Sequence, residues 1–104
     1  MATIMMIGAF DTKGIEYAFL QDEIVRFGQN VLSVDTSVVG KPRGVSVDIS
    51  AEDIASAAGH KLQDLRDLND RGKAMAVMAD GAAAMAQRLY DSKAIDGIIG
   101  MGGS

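Results

Sequence analysis

The residues best suited to chemistry stand in two glycine-bearing stretches at opposite ends of the chain. The first is Gly8-Ala9-Phe10-Asp11-Thr12-Lys13-Gly14. Lys13 can neutralise phosphate charge, Thr12 can hydrogen-bond a phosphate oxygen, and Asp11 can hold Mg²⁺ directly or through water. The second is Gly100-Met101-Gly102-Gly103-Ser104. Its glycines let the backbone come close enough to an anion to present several N–H groups, and Ser104 adds a hydroxyl. Asp35 closes the apolar run Val31-Leu32-Ser33-Val34, a place where an acidic residue binds ribose hydroxyls in dinucleotide folds. Each stretch also has an ordinary reading: Asp-Thr-Lys-Gly as a turn before a helix, and Asp35 as a residue that ends a strand.

Both stretches depart from the common phosphate motifs. No Gly-Lys-Ser/Thr closes the first as in a Walker A loop, and the second matches only the opening of a dinucleotide fingerprint. His60, the one histidine, follows a glycine that ends a helix and has no obvious partner. Asp64, Asp67 and Asp70 alternate with Arg66 and Arg71, the pattern of a solvated charged face. No Gly-x-Ser-x-Gly elbow is present.

Composition narrows the field. Apolar residues make up 48% and aromatics 5%, so the core must be built from small and aliphatic side chains and methionine. The formal net charge is −4 and the ten basic residues are dispersed, which argues against a nucleic-acid surface. With no cysteine, disulfides, thiolate metal sites and Cys nucleophiles are excluded. No signal peptide or membrane-length apolar run is visible, so a cytoplasmic protein is expected.

The elements that must position these residues alternate between strand and helix. Ile4 to Ile7 is a continuous apolar run ending at Gly8, as in a strand covered on both faces. A helix is expected from near Gly14, with Tyr17, Leu20, Ile24 and Phe27 as its apolar stripe and Gly28 as its end. Val31 to Val34 is the second strand. Ser37 to Val47 holds Gly40, Pro42 and Gly44 and reads as a surface loop. Ser50 caps a short helix that ends at Gly59, and 60–67 is a helical turn or short helix. A long helix spans about 70–92. Its stripe Met75, Met78, Ala82, Met85 and Leu89 should face the sheet. A second stripe, Ala76, Ala79, Ala83 and Ala86, suits either close packing by another helix or subunit, or simply strong helix formation. The last strand runs from Ile95 to Met101.

The resulting expectation is a doubly wound, Rossmann-like parallel sheet of order 2-1-3. Both glycine stretches would then meet at the topological switch between strands one and three, where such sheets bind ligands. A chain ending within a glycine loop reads as the first part of a longer protein. The leading function is nucleotide binding. The alternative is an enzyme acting on a small phosphorylated or carboxylated metabolite in the same crevice.

Several segments occur in the same order in one known family. They are Ile7-Gly8-Ala9-Phe10-Asp11-Thr12-Lys13-Gly14, Val34-Asp35, Asp48-Ile49-Ser50, Asp70-Arg71-Gly72 and Ile95 through Ser104. The chain resembles the ATP-binding family typified by the plant tobamovirus resistance protein, the inhibitor of tomato mosaic virus RNA replication, with uncharacterised bacterial relatives. The resemblance implies two α/β lobes in roughly four hundred residues, so that a C-terminal lobe is missing here. It also implies ATP with Mg²⁺ as ligand, and Asp11, Thr12, Lys13, Gly102, Gly103 and Ser104 as contacts. Phe10, Gly14 and Gly100 belong to the same loops. Ala9 stands where Thr is common. The antiviral role does not carry over.

Overall fold

A computed structural model describes residues 1–101. Three parallel strands form one sheet: β1 (Thr3–Gly8), β2 (Asn30–Asp35) and β3 (Gly97–Gly100), in the order β2-β1-β3. The register sets Gly8 beside Asp35 on one side of β1, and Ile7 beside Gly100 on the other. The 2-1-3 sheet with a switch between β1 and β3 therefore stands as expected.

Helices cover both faces, which is why β1 needs no polar alternation. Helix α1 (Phe10–Arg26) lies on one face, where Met6, Phe10, Tyr17 and Val45 form a small core. Helices α2 (Ala51–Ala57), α3 (Leu62–Asp67) and α4 (Arg71–Asp91) belong to the opposite core, built with Met5, Val34 and Ile95. Two caps hold as read. Ser50 Oγ accepts from Asp53 N at 3.2 Å, and Gly28 takes φ +83° after α1.

Three expectations change. Helix α1 starts at Phe10, four residues before Gly14, and Lys13 breaks its geometry with φ −117° and ψ 19°. One turn thus precedes the main helix. Phe27 is exposed, and the buried positions of α1 are Phe10, Gly14 and Tyr17.

Helix α4 keeps four of the five residues of the expected stripe in the core, Met78 and Ala82 buried and Met85 and Leu89 partly buried against it, and loses only Met75. Met75 is exposed, while Ala74, Met78, Gly81, Ala82 and Ala86 are buried. The reason is Gly81: a Cβ there would lie 2.1 Å from the carbonyl oxygen of Ile54, so the helix turns this glycine toward α2. Ala76, Ala79 and Ala83 remain exposed.

The apolar pair Ile98-Ile99 is not enclosed. Ile98 is 56% and Ile99 37% exposed, and β3 is an edge strand among the described residues. The opposite edge is partly closed by Ile49, which bridges to Val34 in parallel.

Candidate functional site around the first turn of helix α1

The first turn of a helix carries N–H groups with no partner inside the helix. Here Ala9 occupies the cap position and offers no side-chain acceptor. Residues from the end of β2 supply what Ala9 lacks. Asp35 Oδ1 accepts the N–H of Phe10 at 3.2 Å, and Ser37 Oγ accepts the N–H of Asp11 at 3.0 Å. Ser37 is held in turn, donating its N–H at 2.9 Å and its hydroxyl at 2.5 Å to the same carboxylate oxygen. A carboxylate at a helix N-terminus is favoured by the helix dipole as well as by these bonds.

The loop after β2 wraps over this turn. Gly40 donates its N–H to Asp11 Oδ2 at 3.1 Å, and Arg43 donates its own to the Phe10 carbonyl at 3.0 Å. Two glycines permit the approach. A Cβ on Gly14 would sit 1.9 Å from the Arg43 carbonyl oxygen, and one on Gly40 would sit 2.8 Å from Asp11 Cβ. The segment read as a plain surface loop is thus a strap fastened to α1 at three points.

This arrangement distributes the expected site residues unevenly. Asp11, Thr12 and Lys13 stand together on the first turn, with Thr12 exposed and Asp11 and Lys13 half-buried. Phe10 does not face the crevice: its ring is fully buried, and its N–H and carbonyl are both engaged. Gly14 is buried against the strap. Asp35 is 3% exposed, and its Oδ1 binds three donors of the chain itself. An open cleft of about 410 Å³ lies beyond Asp35, between Gly40–Pro42 and the start of α2, and does not include Lys13 or Gly100. Gly102, Gly103 and Ser104 lie outside the described residues. Among the described residues no three His, Cys, Asp or Glu side chains gather to hold a metal ion.

At the switch point Gly8 leaves room for Tyr17. A Cβ on Gly8 would lie 2.1 Å from the Tyr17 ring. The tyrosine hydroxyl accepts the N–H of Met101 at 2.8 Å and lies 3.4 Å from the Met101 carbonyl oxygen. Sequence periodicity identifies Tyr17 only as an apolar stripe residue. Ser37 left a clearer trace, since Asp-Thr-Ser at the end of a strand is the pattern of an Asx turn.

Comparison with known proteins settles the family. The model of the uncharacterised protein family UPF0261, N-terminal domain, matches residues 2–104. The chain belongs to this family. It is similar to a UPF0261 protein of Clostridium tetani, 39% identical over 97% of the chain and 25% of that protein. It is 41% identical to one of Brucella melitensis, over 97% of the chain and 24% of that protein. A Mesorhizobium japonicum relative is 40% identical over 100% of the chain and 26% of its own length. The chain therefore spans about a quarter of the curated relatives it matches. No solved structure matches it. No helix among the described residues is long and apolar enough to cross a membrane.

Proposed function

We propose that this UPF0261 domain is a nucleotide-binding module whose ligand is ATP with Mg²⁺, its phosphates held between the 8–14 and 100–104 loops. The observation that carries the reading is the switch point itself. The carboxyl ends of β1 and β3 meet at Gly8 and Gly100, and the Asp11-Thr12-Lys13 turn follows β1 directly. Ligands of open α/β sheets bind at such a point.

The hydrogen bonds refine which groups would meet phosphate. The N–H groups of Phe10 and Asp11 are already spent on Asp35 and Ser37 respectively. Phosphate contacts therefore fall to the side chains of Thr12 and Lys13 and to the backbone of the second loop. Asp11 Oδ2 is fixed by Gly40, which leaves Oδ1 for the cation. One carboxylate suffices in this role, because Mg²⁺ usually keeps waters and takes the rest of its ligands from the phosphates. Asp35 acts here as support for the turn. The whole protein, with the C-terminal lobe that the longer relatives imply, would complete the pocket.

Isothermal titration of the full-length protein with ATP·Mg²⁺ tests this. Saturable binding is expected, and Lys13→Ala should weaken it about tenfold, the scale of one charge-assisted phosphate contact. No binding by the wild type would remove the reading, and unchanged affinity in the variant would remove Lys13 from it. Turnover of ATP, or of a small phosphorylated or carboxylated metabolite, would point to an enzyme in the same crevice.

A further inference from the structure

Tyr17 makes a contact that its burial alone does not require. It is 2% exposed and its ring centroid lies 5.1 Å from that of Phe10, which alone would make it a core residue. A phenylalanine would serve such packing equally well. The hydroxyl, however, reaches past Gly8 to the far strand and engages the backbone of Met101, a residue 84 positions away. Met101 is the first residue after β3, so this bond fixes the chain where it leaves the sheet for the glycine-rich stretch. Gly8 keeps the path open. A Cβ on Gly8 would collide with the Tyr17 ring and hydroxyl, and one on Gly100 would lie 3.2 Å from the Ile7 carbonyl and 3.9 Å from the hydroxyl. Lys13 sits four residues before Tyr17 on the same helix. The helix thus carries both the candidate phosphate cation and the anchor of the opposite loop.

We infer that Tyr17 is a positioning residue of the nucleotide site, setting the backbone at Met101 against the Thr12-Lys13 turn. This rests on the nucleotide-binding reading above. It requires the hydroxyl and not the ring, so Tyr17→Phe in the full-length protein isolates it. Titration with ATP·Mg²⁺ should show affinity reduced roughly fivefold to tenfold, the scale of one hydrogen bond. The Met101 amide should exchange with solvent faster in the variant, while the melting temperature changes little. Gly8→Ala should displace the ring and lose at least as much affinity.

The outcomes separate cleanly. If the wild type binds ATP and Tyr17→Phe binds it equally well, the positioning role is overturned and the nucleotide reading stands. If the wild type binds no ATP, the nucleotide reading fails and takes this role with it. A loss of affinity in Tyr17→Phe with unchanged Met101 exchange would also overturn the inference, because the hydroxyl would not be acting through that amide.

Discussion

Asp35 Oδ1 accepts the backbone N–H of Phe10 at 3.2 Å, so the last residue of β2 caps the first turn of α1. The fold thereby places a carboxylate of its own where sheets of this class often place a phosphate. That bond, with the two from Ser37, ties the end of β2 to the start of α1 and to the strap between them.

Removing the carboxylate should therefore cost stability. Asp35→Ala leaves two buried N–H groups and the Ser37 hydroxyl without their acceptor, and urea unfolding should show a loss of about 2–4 kcal/mol. Asp35→Asn retains an oxygen at the Oδ1 position and should lose about half as much. Equal losses in the two variants would mean that charge, and not the acceptor position, supports the turn.

The glycines divide by what surrounds them. Gly81→Ala must push against the Ile54 backbone, so overpacking should outweigh the better helix propensity and cost about 2 kcal/mol or more. Gly72→Ala meets only Asp70 Oδ1 at 3.7 Å and should stabilise the chain by about 0.5 kcal/mol. Thermal melts of the two variants should move in opposite directions.

The buried face of α4 can be read from two methionines. Met78 is 2% exposed and Met75 52%. Met78→Ala should cost about 2–4 kcal/mol, whereas Met75→Ala should change stability by less than about 0.5 kcal/mol. Comparable losses at both positions would place Met75 in the core with the rest of its stripe.

Asp11 should matter to the cation and not to the nucleotide alone. Under the proposed reading, ATP affinity of the wild type falls when Mg²⁺ is chelated. Asp11→Asn can keep the Gly40 bond through its amide oxygen but loses the charge, so its ATP affinity should respond much less to chelation. An undiminished Mg²⁺ response in this variant would place the cation elsewhere.

Much of the architecture was legible because it rests on local pattern. The run Ile4 to Ile7, the run Val31 to Val34 and the long connection back to Gly97 are enough to suggest 2-1-3, the order the sheet adopts. What escaped was everything made by side chains meeting backbone across distance. Nothing near Gly40 or Arg43 announces that the loop folds onto α1, and no spacing shows that the Tyr17 hydroxyl meets the Met101 backbone. On α4 only Met75 departs from the stripe, for a related reason. Periodicity weighted the large methionines, but the closest contact is made by Gly81, which has no hydrophobicity to contribute. At the site, Asp11, Thr12 and Lys13 could be grouped from the sequence. The buried state of Phe10, Gly14 and Asp35 could not.

The exposed strand β3 carries a practical consequence. Among the described residues its outer side pairs with no other strand, and it carries isoleucines on both faces, a template on which another extended segment can assemble. Handled by itself at high concentration, this domain should cloud or form oligomers through β3 before its core melts. A lysine at Ile98, a position 56% exposed, is the substitution that would keep it in solution for the measurements above.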